Sequence, residues 1–187
     1  MHSDGQTLPQ TLLQFWQWSS SDLVNNALRG VLAEYLVATA IGCDLSPRRE
    51  WDAYDLETAE GIKVEVKSAA YLQSWSQQDY STIQFSIKPS LGWNAIDNTY
   101  SPQSKRQADV YVFCVLKHKD KTTVDPLNVS QWDFYILPTR VLNDQLPQQS
   151  TLGLLRLKKL NAVQTHYESI YDEIQQLMSG PQKSSSA

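Results

Sequence analysis

Within the stretch "WDAYDLETAE GIKVEVKSAA", residues 51–70, three charged side chains are spaced so that they could act together: Asp55, Glu65 and Lys67. Successive side chains of a β-strand point to opposite faces, so Glu65 and Lys67 leave one face together, roughly 6–7 Å apart along the chain. Asp55 lies ten residues before Glu65, and a hairpin between them brings it back alongside. Two carboxylates and an ammonium converging on one volume suit the hydrolysis of a phosphodiester. That reaction needs a nucleophilic water, neutralised phosphate charge and help for the leaving oxygen, and one or two carboxylate-bound Mg²⁺ ions can supply all three. Magnesium takes few carboxylate ligands and keeps waters for the substrate. The plain alternative is the wet face of an ordinary ribbon, since Glu-x-Lys is common on solvent-facing strands.

The elements that must position these groups are visible as patterns. Ile62, Val64 and Val66 alternate with Lys63, Glu65 and Lys67, the period of two expected where one face enters a core and the other carries charge. "AEG", between "YDLET" and "IKVEVKS", supplies a glycine-containing hairpin connection. Upstream, "SSSD" offers N-cap groups for a helix over residues 23–41, with Gly42 as its stop. Val24, Ala27, Leu28, Val31, Leu32, Tyr35 and Ala38 fall on one face of that helix, the expected core side, with Glu34 on its border.

Downstream, "SAAYLQSWSQQ" is ambiguous between helix and loop, and "STIQFSIK" reads as a third strand. "PSLGWNAIDNTYSPQSKRQ" is long and rich in turn formers, which suits a functional loop. "ADVYVFCVLKH" reads as a strand buried on both faces in mid-sheet, and "QWDFYILP" as its neighbour, ended by Pro138. "GLLRLKKL" reads as a short strand, and Val163, Tyr167, Ile170, Tyr171, Ile174 and Leu177 follow helical spacing. The pattern fits one α/β domain over residues 1–180 and a disordered polar tail over 181–187.

The motif "YDL…IKVEVKSAA" and this order of elements resemble the PD-(D/E)xK nuclease superfamily of restriction endonucleases, Holliday-junction resolvases and repair nucleases. The resemblance covers most of the chain. It implies a restriction endonuclease-like mixed β-sheet flanked by helices, with an αβββαβ core. It also implies Mg²⁺ or Mn²⁺ held by Asp55, Glu65 and the backbone carbonyl of Val66, with Lys67 positioning or activating the attacking water. A further acid on the first helix, Glu34, would reach the metal site directly or through water. The implied activity is metal-dependent endonucleolytic cleavage of DNA leaving a 5′-phosphate, of a restriction, repair or junction-resolving type. Tyr54 stands where the superfamily often has proline.

Asp52 and Glu57 are competing acids. Asp52 has the opposite strand parity to Asp55, whereas Glu57 shares that parity but sits nearer the turn. Two rival readings remain. One is a nuclease-fold module that binds DNA or a protein partner without turnover, against which the intact Asp, Glu and Lys weigh. The other is an unrelated α/β binding domain with a charged hairpin.

The chain has 187 residues, with 16 Lys+Arg against 20 Asp+Glu. That balance argues against coating nucleic acid through bulk charge, so DNA must meet a local basic surface. Arg48 and Arg49 before the hairpin and Lys105 and Arg106 in "SKRQ" are the candidates, with Lys117, Lys119 and Lys121 in "KHKDK" as a further cluster. Each is also an ordinary solvated loop in the bland reading. Trp75, Trp93 and Tyr71 flank the motif and could stack on unpaired bases, while Trp132, Tyr111 and Tyr135 fall in strand patterns and should pack the core. Cys43 and Cys114 read as structural thiols, and His2, His118 and His166 show no metal-ligand spacing, so any metal must be held by oxygen. Reduced thiols and a polar beginning without an apolar leader point to the cytoplasm. No apolar run approaches the ~18–20 residues needed to cross a bilayer. A homodimer that cuts both strands is left open.

Overall fold

The structure, a computed structural model, describes residues 1–46, 53–94 and 99–180. In chain order its elements are β1 (His2–Ser3), β2 (Gln6–Thr7), α1 (Leu12–Ser20), α2 (Asn26–Ala40), β3 (Leu56–Glu57), β4 (Lys63–Ala70), β5 (Gln84–Ser86) and β6 (Ser90–Asn94). There follow β7 (Thr99–Lys105), β8 (Val110–Leu116), β9 (Trp132–Pro138), α3 (Thr139–Gln145), β10 (Thr151–Gly153), α4 (Leu154–Lys159), β11 (Val163–Thr165) and α5 (Ile170–Ser179).

Strand β8, "VYVFCVL", is buried at every position and lies third in a five-stranded sheet of order β11-β9-β8-β4-β3. A strand covered on both faces has no wet side, which is why its sequence runs continuously apolar. β4 pairs with it in parallel, from Val64 opposite Val110 to Ala70 opposite Leu116, while the other three pairings are antiparallel. This is the expected mixed sheet flanked by helices. Parallel neighbours need a long crossover, and residues 71–109 provide it. Among the described residues that crossover carries β5 and the β6–β7 ladder, with no helix. β5, the expected third strand, pairs with β10 outside the main sheet.

The sheet separates two apolar layers. On one side Val64, Val66 and Ala70 of β4, with Val112, Cys114 and Ile136, pack beneath α2 and α5 through Ala33, Val37, Ile170 and Ile174. On the other, Tyr111, Phe113, Tyr135 and Leu137 meet Phe85 and Ile87 at β5, Leu152 of β10, Leu142 of α3 and Leu157 of α4. At roughly 1.5–3 kcal/mol for each large apolar side chain fully buried, these layers dominate the stabilisation of the fold.

The hairpin between β3 and β4 closes through Thr58, whose amide donates to Ile62 O at 3.0 Å, and Gly61, whose amide donates to Thr58 O at 2.9 Å. Gly61 has φ +82°, a conformation glycine adopts without the clash a Cβ would bring. Glu60 at the turn accepts from Tyr171 Oη and Gln175 Nε2, each at 2.7 Å, which ties the hairpin to α5.

Four sequence expectations need correction. The helix begins at Asn26 because Asp22 Oδ1 caps the turn before it, accepting from the Val24 and Asn25 amides, while Asn25 itself caps the helix. Its core side is the face of Arg29, Ala33, Leu36 and Val37, and the expected face leaves Val31 and Tyr35 exposed. "GLLRLKKL" forms a short strand only at Gly153 and continues as α4, whose Leu157 is the buried anchor. The expected helical stripe from Val163 begins as β11, and a 3-10 turn over Tyr167–Ser169 leads into α5 from Ile170. Several elements were not foreseen: the β1–β2 pair, the β6–β7 ladder where a loop was expected, and α3. Another is α1, opened by a capping box in which Thr11 and Gln14 satisfy each other's backbone amides. Among the described residues no helix is long and apolar enough to cross a membrane.

Candidate active site

β4 alternates as its sequence requires. Val64 and Val66 point into the layer under α2 and α5, so Lys63, Glu65 and Lys67 leave the other face, where Glu65 lies opposite Tyr111 and Lys67 opposite Phe113 of β8. Lys67 Nζ donates to Glu65 Oε1 in an ion pair whose side chains are 28% and 19% exposed, respectively. Both charges are therefore held at the rim of the apolar layer and remain partly open to solvent.

Asp55 joins them from the hairpin. It sits one residue before Leu56, which pairs with Val64, and its amide donates to Val64 O at 3.2 Å. Its carboxylate crosses to the neighbouring strand, where Oδ2 accepts from the Val66 amide at 2.7 Å. The cluster is electrostatically tense. Burial, the like charge of Glu65 and, more weakly, that of Glu34 raise the Asp55 carboxyl to about 7, against the pull of Lys67 and the Val66 amide. Asp55, Glu65 and Lys67 are brought together. Glu34, half-buried on α2, acts on Asp55 through its charge.

With Lys67 paired to Glu65, the buried Asp55 carboxylate adds a like charge beside that pair, which protonation of Asp55 relieves in the metal-free protein. A divalent cation would relieve it as well. Among the described residues no group of three or more His, Cys, Asp or Glu side chains is arranged to hold a metal alone. The donor set that fits is two carboxylates completed by a backbone oxygen, water and phosphate, which is the habit of Mg²⁺.

Other predicted positions have different fates. Arg48, Arg49 and the competing acid Asp52 lie outside the described residues. Glu57 is exposed and accepts from Tyr54 Oη, so it has turned to the outer edge of the hairpin. Lys105 is exposed at the end of β7. Arg106 is a correction: it is 6% exposed, and its guanidinium donates to Ile87 O, Asn143 Oδ1, Leu146 O and Gln149 O at 2.8–3.2 Å. It ties the segment after α3 to the end of β5 and has no free edge for a phosphate. The signal was present in the sequence, because Arg106 shares the even parity of Ala108 and Val110, both buried.

Two further features combine residues that the sequence singled out separately. Tyr111 is buried and stacks on Phe113 at 5.6 Å, and burial together with the nearby charges of Glu65 and Asp55 pushes its phenol well above the ordinary tyrosine range. It stays protonated beside the carboxylates, and its register opposite Glu65 was the clue. At the carboxyl ends of the parallel pair β4 and β8, Lys119 Nζ lies over the Tyr71 ring at 4.4 Å and the Tyr80 ring at 5.2 Å. Lys121 Nζ donates to Trp75 O at 2.6 Å, and the Trp75 side chain is 59% exposed. Lys117 is instead paired with Asp133 at 2.8 Å.

A family model for bacteriophage T4 endonuclease IV matches residues 6–152. The chain belongs to the bacteriophage T4 endonuclease IV family. The span shared with the endonuclease IV family takes in α2, the β3–β4 hairpin, β8 and β9, and so Asp55, Glu65, Lys67 and Glu34. Membership of an endonuclease family supports a nuclease, the coarse activity the cluster was expected to serve. No curated protein matches the chain.

Proposed function

We propose that the protein is a Mg²⁺- or Mn²⁺-dependent DNA endonuclease with the site architecture of the PD-(D/E)xK superfamily. The observation that carries this reading is the tension at Asp55: a half-buried carboxyl raised to about 7 first by burial and then by the like charge of Glu65, with the Lys67 ammonium paired to that same Glu65. Structural ion pairs lower a carboxyl's pKa. A carboxyl raised by a second one marks a place built to receive a cation or to move a proton.

Asp55 and Glu65, with the backbone carbonyl of Val66, would hold the ion. When bound, it supplies neutralisation of the scissile phosphate and a water acidified enough to attack at neutral pH. The chain's own groups do the rest. The Val66 amide fixes the Asp55 carboxylate in orientation, and Lys67 holds the attacking water and stabilises the charge that develops on it. Lys67 is released for this task when Glu65 turns from its ammonium. Glu34 supports the site from α2, and the protonated Tyr111 phenol beside Glu65 restricts how that carboxylate can lie. Water attack in this arrangement leaves a 5′-phosphate.

The substrate strand would run over Lys105 and the Tyr71, Trp75, Tyr80 and Lys119 cluster, where cations offer phosphate contacts and an exposed indole offers a stacking surface. The α/β architecture favours binding at the carboxyl ends of parallel strands, which is where this cluster lies. The test is cleavage of linear, branched and single-stranded DNA with Mg²⁺ or Mn²⁺ and with chelator. Cleavage that requires the ion on at least one substrate is expected, and the absence of any cleavage across the panel overturns the reading.

A further inference from the structure

Helix α1 has five large apolar side chains, Leu12, Leu13, Phe15, Trp16 and Trp18, each more than half exposed, with Trp18 at 85%. None of its residues is buried. A second uncovered surface lies on α2. Ala27, Val31 and Tyr35 recur at i, i+4 and i+8 on the face opposite Ala33 and Val37, with Val31 43% and Tyr35 54% exposed. A helix apolar on both faces is ordinarily covered on both. Together the two surfaces expose on the order of 800 Å², the area each partner contributes to a standard stable interface.

Helix α1 leaves the outer stripe of its own α2 uncovered, and a bonded turn separates the two helices. Asp22 Oδ1 accepts from the Val24 and Asn25 amides at 3.2 Å, and the buried Arg29 grips the same turn through Val24 O at 2.9 Å and Asn26 Oδ1 at 2.5 Å. Beyond this turn the arm buries none of its own residues. Its sequence, "LLQFWQWSS", contains no charge, so nothing in it attracts a phosphate backbone. What it matches is the apolar stripe on α2.

We propose that two copies of this chain dimerise by reciprocal docking, α1 of each lying on the outer stripe of α2 of the other. A two-fold arrangement uses both surfaces twice and leaves neither exposed. Because α2 also carries Glu34, the docked arm borders the carboxylate cluster. The proposal stands apart from the nuclease reading, since its test measures mass and not cleavage.

The experiment is sedimentation of the full chain over a range of concentrations, for the wild type, Trp18→Glu, Val31→Lys and an equimolar mixture of the two variants. Both positions are exposed, and unchanged circular dichroism and thermal midpoint confirm that each variant folds. Expected are a wild type at twice the chain mass, two monomeric variants, and a mixture that regains dimer. The mixture does so because one variant keeps the intact stripe, the other keeps the intact arm, and the introduced charges have opposite sign. A monomeric wild type, a dimer indifferent to Val31→Lys, or a mixture that stays monomeric overturns the proposal.

Discussion

The Val66 amide donates to Asp55 Oδ2 at 2.7 Å, a bond from the middle of a central-sheet strand to a carboxylate at the start of the preceding hairpin. It joins the two halves of the candidate site. A carboxylate raised to about 7 by burial and by Glu65 is held in place by a backbone donor that cannot move without disturbing β4. Position is thereby fixed while charge is left in tension.

That tension makes metal-free stability depend on pH. The unfolded chain releases the Asp55 proton near about pH 4, whereas the folded protein keeps it to about 7. Between those values the folded state binds more protons than the unfolded one, so stability falls as pH rises through this window. Asp55→Asn removes the titration and keeps an acceptor for the Val66 amide. Thermal unfolding with chelator should show the variant equal to wild type near pH 4 and more stable by about 1–3 kcal/mol at pH 8. A variant less stable than wild type at pH 8 contradicts the assignment.

Metal binding should report the same group. An ion at Asp55 must displace its proton, so affinity weakens as pH falls below about 7. The Mg²⁺ concentration giving half-maximal cleavage is expected to rise about tenfold for each pH unit below that value and to level off above it. A pH-independent midpoint removes Asp55 from the ligand set.

Arg106 and Lys119 should separate under mutation. Arg106→Met strips three backbone carbonyls of their donor and should lower stability by about 3 kcal/mol, read as a shift in denaturant midpoint. The salt dependence of DNA binding should not change in that variant. Lys119→Ala, between two tyrosine rings at the end of β4, should leave stability nearly unchanged and reduce the slope of log affinity against log salt by about one contact. Equal slopes in wild type and Lys119→Ala place the DNA elsewhere.

The sheet's centre was legible because its physics is local. "VYVFCVL" has no polar side, and the alternation at Val64, Glu65, Val66 and Lys67 dictates which charges meet. The hairpin followed from one glycine. The face of α2 was not legible, since the helix is apolar on two sides and its core side carries an arginine, Arg29, that reads as solvent-facing. Arg106 was misjudged for a similar reason: its neighbours Lys105 and Gln107 are polar, and only the parity with Ala108 betrays burial. The strand pairings of β5 and β10 depend on elements far apart in sequence, and no local pattern specifies them. Helix α1 had a readable start signal at Thr11 and Gln14, but a helix that buries nothing leaves no amphipathic pattern to confirm it.

The central claim is that Lys67 and the Asp55–Glu65 pair perform metal-dependent phosphodiester hydrolysis, and single-turnover cleavage with saturating enzyme and Mg²⁺ tests it most directly. Lys67→Ala is expected to bind DNA as wild type does and to lower the cleavage rate by about 10²–10⁴-fold, the range for losing a positioned proton-handling group. Cleavage that survives chelation, or a Lys67→Ala rate equal to wild type, contradicts it.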